Sequence, residues 1–175
     1  MIRRALREAR ALATQARYLG FDLTERRVEG RGPTVIFLHG LYASAGVFRP
    51  LRARLSERFD ATMGSFSYPP GPGIVELAGQ LARLIRNEPR DAPIHLVGHS
   101  LGGLVQRYYV QEMERDARVT STLSLASPFA CTRRAWLVPG QAGRDIDVGS
   151  TLVAKIRRGT AAGAGVRHLS IVAAD

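Results

Sequence analysis

Apolar residues in this chain fall into short unbroken runs separated by stretches of helical spacing, and that alternation carries the fold signal. Thr34-Val35-Ile36-Phe37-Leu38, residues 61–66, 93–97 and Val119–Leu125 are too short for helices and rich in β-formers. Such runs predict strands buried on both faces. Between them, Val47, Phe48, Leu51, Leu55 and Phe59 mark a helix that Ser44 is placed to cap, and Leu101, Leu104, Val105 and Tyr108 begin another. The clearest helical stripe is Ile74, Leu77, Ala78, Leu81, Leu84 and Ile85, which follows the breaker Tyr68-Pro69-Pro70-Gly71-Pro72-Gly73. Alternating strands and helices predict an α/β fold, a mostly parallel sheet with helices on both faces.

At the two ends the pattern changes. Ile2, Ala5, Leu6, Ala9, Leu12, Ala13 and Ala16 form an apolar stripe opposite a row of arginines, which predicts an amphipathic helix over residues 1–20. Beyond Ser127-Pro128 the rhythm is lost through Gly149, and Pro139, Gly140 and Gly143 predict an irregular surface excursion. Residues 148–156 predict a short helix, 159–165 a small-residue loop, and 166–174 a last strand that ends at Asp175. No repeat or linker interrupts the chain, so residues 1–175 are read as one domain whose core runs from residue 30.

Composition narrows the partners. The 25 basic and 15 acidic residues give a net charge of +10, which raises nucleic acid or an anionic surface as a partner. The arginines, however, are scattered and sit beside acidic residues, as in Arg7-Glu8, Glu25-Arg26 and Glu57-Arg58, so no basic stripe forms and no nucleic-acid partner is expected. The lone Cys131 cannot form an internal disulfide, and it reads as a packed small residue. Arg7, Glu8, Arg10 and Arg17 break any apolar core of a signal peptide, so a cytoplasmic address and no stable membrane insertion are expected. Neither zinc-type ligand spacing nor a phosphate-binding G-x-x-x-x-G-K-[ST] loop occurs, so no metal or cofactor is expected.

The chemistry is concentrated in two short motifs. Gly98-His99-Ser100-Leu101-Gly102 matches G-x-S-x-G between an expected strand and an expected helix. A sharp strand-to-helix turn strains the serine backbone, needs small residues two before and two after it, and sets the hydroxyl at a helix N-terminus. His39-Gly40-Leu41 follows the strand Thr34–Leu38. With VIFLHGLYAS, HLVGHSLGGLVQRYY and LSLASPFACT, the chain resembles the lipase and esterase branch of the α/β-hydrolases from about residue 30 to 175.

The resemblance implies Ser100 as nucleophile, the Leu41 and Leu101 N–H groups as an oxyanion hole, and His39 as a structural residue. It implies a small-molecule acyl ester or lipid as substrate and Asp175 as the group that orients the catalytic imidazole. Asp145 and Asp147 stand as weaker acid candidates, and Tyr42, Phe48, Tyr68, Phe129 and Trp136 as candidate acyl-pocket residues. The family order of Ser, then acid, then His leaves only His168 after Ser100, and it precedes Asp175 inside an expected strand. His95 lies in the nucleophile's own strand, and His99 is expected to point away from Ser100. We therefore expect a truncated family member of low activity, whose exposed sheet edge favours self-association. Two other readings remain open: a non-catalytic module that uses the same fold for binding, and binding to nucleic acid or anionic lipid.

Overall fold

A computed structural model describes residues 27–132, 135–138, 140–159 and 163–172. The expected helix over residues 1–20 and the end of the chain at Asp175 lie outside the described residues. Five strands, β1 (Thr34–Leu38), β2 (Thr62–Phe66), β3 (Ile94–His99), β4 (Val119–Leu125) and β5 (Arg167–Ile171), form one sheet in the order β2-β1-β3-β4-β5. Every neighbouring pair is parallel, with Leu38 opposite Gly98 and His99 opposite Leu125. Parallel strands need crossovers that return along a sheet face, and five helices supply or extend them. They are α1 (Arg49–Ser56), α2 (Ile74–Arg86), α3 (Leu101–Glu112), α4 (Gly140–Ile146) and α5 (Thr151–Arg158).

Period-two alternation divides the core. Ile36, Leu38 and Leu96 face α2 and α3, where Leu77, Leu81, Leu104 and Val105 are fully buried. Phe37 and Val97 point the other way, into a smaller cluster with Phe48 and Met63 that Leu51 and Leu55 of α1 partly cover. From β1 the chain moves outward to β2, then crosses back to β3 and continues to β4 and β5 on the other side. Loops leaving adjacent strands in opposite directions open a crevice at the C-terminal sheet edge. The turn after β1 and the turn after β3 flank that crevice.

Three expectations change. Ser44 stands before a 3-10 turn, Ala45–Phe48, and its side chain makes no capping bond; α1 starts at Arg49 behind it. The segment expected to be irregular contains α4, because its glycines serve close packing: a Cβ on Gly143 would lie 2.1 Å from the Val138 carbonyl oxygen. Asp145 is buried within α4, and its Oδ2 accepts a 2.7 Å hydrogen bond from the Ile74 N–H, the first amide of α2. Gly73 at the N-cap has no side chain to do this.

Two of the scattered arginines also tie the scaffold together. Arg118 donates to the carbonyls of Ile85, Glu88 and Arg90 and to Asp116, which satisfies the C-terminal end of α2. Arg27 forms a two-pronged pair with Glu88 at 2.7 Å in each arm. The guanidinium holds the Glu88 carboxyl below the ordinary range.

Asp145→Ala is expected to cost about 1–2 kcal/mol, the upper range for loss of a helix cap. Urea denaturation checks this, and an unchanged midpoint would show that the Ile74 amide needs no capping carboxylate.

Candidate active site

Ser100 joins β3 to α3 with φ 51 and ψ −117, a conformation that side-chain-bearing residues rarely adopt and that costs of the order of 1–3 kcal/mol. The surroundings hold it there. Its N–H donates to the Leu125 carbonyl at 2.9 Å, and its own carbonyl accepts from the Gly103 N–H at 3.1 Å. The flanking glycines are required by contact: a Cβ on Gly98 would lie 2.5 Å from the Gly102 carbonyl carbon, and one on Gly102 would lie 2.3 Å from the Leu38 oxygen.

That same close approach brings the second motif to the serine. A Cβ on Gly40 would lie 2.9 Å from the Ser100 Cβ, so the turn after β1 rests directly on the elbow. Leu101 opens α3, where an N–H has no intrahelical acceptor. Neither it nor the Leu41 N–H enters a backbone hydrogen bond among the described residues.

His39 is fixed from three sides. The Tyr68 N–H can only donate, so His39 Nε2 accepts at 3.1 Å and Nδ1 carries the proton toward the Gly40 carbonyl at 2.7 Å. The Tyr68 ring stacks on the imidazole at 4.2 Å, and its hydroxyl donates to the His39 carbonyl. Tyr68 is therefore a clamp on the turn that presents Leu41, a role the sequence hid behind the breaker that begins there. Burial pushes its phenol up.

The other histidines sit elsewhere. His168 hydrogen-bonds through Nδ1 to the Thr122 hydroxyl at 2.7 Å, level with Leu96 in the sheet register. Ser100 follows Leu96 by four residues, about 13 Å further along the strand direction. His95 bonds to Ser121 at 2.8 Å, and the buried His99 Nδ1 has no hydrogen-bond partner among the described residues. No imidazole among the described residues hydrogen-bonds to the Ser100 hydroxyl. Burial lowers all four from the usual 6.5, His168 to about 4, with the Arg107 charge adding to it.

Of the acid candidates, Asp145 is occupied by Ile74 and Gln141, so the expectation of a surface aspartate fails there. Asp147 is exposed and accepts from the Val148 N–H, while Asp175 lies outside the described residues. Among the pocket candidates, Phe48 tilts against Phe37 and is buried in the cluster on the sheet face opposite α2 and α3. Phe129 is half-buried against the main core. Trp136 is 79% exposed, and the exposed Tyr42 donates to the Leu137 carbonyl at 3.2 Å, which ties the excursion to the turn beside Leu41. Cys131 packs half-buried on the same core at φ 66, a conformation suited to glycine.

A parallel sheet with a strained serine at the switch-point crevice defines the α/β-hydrolase class. The chain belongs to the Alpha/beta hydrolase family, whose family model matches residues 35–171. It is 41% identical over 83 residues to a 2-(acetamidomethylene)succinate hydrolase of Mesorhizobium japonicum, covering 43% of this chain and 30% of that protein. The chain thus spans under a third of that relative's length. Its fold is similar to a lipase of Bacillus licheniformis, with a TM-score of 0.66 at 15% identity over 84% of this chain and 70% of that one. It is also similar to a metagenomic carboxyl esterase, with a TM-score of 0.68 at 17% identity over 81% and 49%.

Gly102→Ala is expected to destabilise the fold by about 1–3 kcal/mol or more, because the methyl meets backbone that cannot rotate away. A thermal midpoint equal to that of the parent would contradict the contact. Stability should also fall with acid. Folded-state imidazole pKa values lie below the unfolded value, so the unfolded chain binds more protons in between. The contribution is complete above pH 6.5 and is lost as pH falls from 6.5 toward about 4, the His168 value. Urea midpoints across that window check this, and a flat profile would count against it.

Proposed function

We propose that this chain is built to cleave carboxylic esters of acyl or lipid type through an acyl-enzyme on Ser100. The Ser100 Oγ attacks the acyl carbon and gives up its proton to a base. The carbonyl oxygen takes negative charge against the Leu41 and Leu101 N–H groups. The bond to the alcohol then breaks, the alcohol leaves with the proton, and water hydrolyses the acyl group to regenerate the serine. The observation that carries this reading is the contact of Gly40 with Ser100, which sets two unengaged amides beside a strained serine. The similarity of the fold to a lipase and to a carboxyl esterase supports the ester class.

In this reading Gly98 and Gly102 permit the elbow, His99 fills the space beside Gly40, and His39 holds the oxyanion turn through Tyr68. Asp175 keeps its proposed place as the group that orients an imidazole. No helix among the described residues is long and apolar enough to cross a membrane. In this reading the substrate meets Ser100 at the C-terminal sheet edge.

One observation favours a second reading, a hydrolase-like module impaired in catalysis. His39 is held between Tyr68 and Gly40, and His168 is bonded to Thr122 well behind the elbow, so neither is placed to take the Ser100 proton. A serine hydroxyl is a weak nucleophile without that step.

Turnover of short p-nitrophenyl esters by this chain is accordingly expected to be close to background. A fluorophosphonate probe, if it reacts, should label Ser100 and leave Ser100→Ala unlabelled. Labelling that survives in the Ala variant would place the nucleophile elsewhere. Full turnover lost on His168→Ala would make His168 the base and overturn the impaired reading.

A further inference from the structure

On the sheet face opposite α2 and α3 lies a groove of about 750 Å³. Val35, Met63, Val97 and Leu123 form its apolar floor, and Leu55 with Phe59 its outer wall. It reaches the N-terminal ends of the strands at Pro33, His95 and Ser121. Ser100 follows His95 by five residues, about 16 Å further along the strand direction, so this end of the groove stands well away from the crevice.

The end at His95 is polar and cationic. His95, Ser121 and Arg167 stand level across β3, β4 and β5, on the groove's own face. His95 Nδ1 bonds to the Ser121 hydroxyl at 2.8 Å and lies 3.3 Å from the Thr120 hydroxyl, while Nε2 has no partner among the described residues. With Nδ1 accepting from Ser121, Nε2 carries the proton of the neutral ring and is a free donor. Arg58 lines the groove as well, and neither it nor Arg167 pairs with a carboxylate among the described residues. Asp60, the carboxylate in the lining, accepts from the Arg31 N–H at 3.1 Å. This end therefore carries two guanidiniums against one carboxylate. Burial first and the Arg167 charge second disfavour a further proton on His95, as befits a place short of negative charge.

We propose that the groove binds a single-chain amphiphile with an anionic head, a long-chain carboxylate. The carboxylate accepts from His95 Nε2 between Arg58 and Arg167, and the alkyl chain lies on Val35, Met63, Val97 and Leu123. Charge-assisted hydrogen bonds fix the head. Burial of methylenes is non-directional, so the floor holds the tail without selecting its detail. The volume of about 750 Å³ falls within the usual range for small-ligand sites. Beyond Leu123 the apolar row continues to Leu169, which is 61% exposed and offers further surface to a longer chain. A second copy suits this face less well. A two-fold contact sets one patch against itself, and both copies would bring Arg58 and Arg167 to it.

The proposal does not depend on the ester-hydrolase reading, and its test reads no turnover. Full-length protein with labelled methyl groups is titrated with sodium dodecanoate below its micelle concentration and followed by methyl NMR, with dodecanol as the uncharged control. Dodecanoate should shift the Val35, Val97 and Leu123 methyls, bind several-fold more tightly than dodecanol, and leave the Leu41 and Leu101 methyls beside Ser100 in place. Arg58→Glu combined with Arg167→Glu, both exposed in the parent, should weaken dodecanoate binding roughly tenfold. Shifts at Leu41 and Leu101 instead of the groove would put the ligand in the crevice and overturn the proposal. Equal affinity for dodecanol, still groove methyls, or undiminished binding by the double variant would overturn it too. Groove methyls that move on dilution of the free protein would place a second copy there, with the same consequence. The dodecanol comparison is made on the parent and decides the point even where the double variant fails to fold.

Discussion

The structure depends on one close approach, the N-terminus of α3 against the end of β1. At Gly102 there is no room even for a methyl group against the Leu38 carbonyl, and Gly98 is pressed against the same turn of α3 from the β3 side. That contact forces the chain to turn sharply at Ser100. It also aligns the helix N-terminus with the turn after β1, so the Leu41 and Leu101 amides and the serine are positioned by one packing event. The strain at Ser100 persists because the bonds to Leu125 and Gly103 leave the peptide no alternative.

Around that contact the fold spends its polar groups on reinforcement. Tyr68 grips His39, Arg118 closes α2, and Asp145 opens it. Each satisfies a backbone group that a helix end or a turn would otherwise leave bare. The histidines follow the same rule. His39, His95 and His168 each bond through a ring nitrogen to a neighbouring backbone or hydroxyl group, and burial lowers the pKa of all four.

Where the signal was local, the sequence could be read. The β1 and β3 runs, the α2 stripe and the G-x-S-x-G turn depend on residues within a few positions of one another, and all four fall where expected, β3 extending to His99. His168 in a strand was legible for the same reason. What escaped was non-local. No spacing rule connects Asp145 to Ile74, 71 residues apart, so a buried cap looked like a surface carboxylate. Gly140 looked like a helix breaker because its use is close contact with distant backbone at Gly71, while Gly143 packs on the Val138 carbonyl only five residues before it. The packing of Phe48 on Phe37 was hidden as well, because it needs the face assignment of β1. Arg118 could not be told from any other arginine in an arginine-rich chain.

The Asp145 carboxylate joins two segments that both rise from the C-terminal edge of the sheet. Gln141 and Ala142 donate to the Gly71 carbonyl beside it, so the loop before α2 and the start of α4 are laced together at three amides. The first amides of a helix are ordinarily among the quickest to exchange with solvent deuterium, since nothing in the helix protects them. Here the Ile74 amide is sealed by a partner from a distant part of the chain. Its exchange then requires both segments to come apart together, which makes this flank of the crevice one opening unit instead of two independent loops.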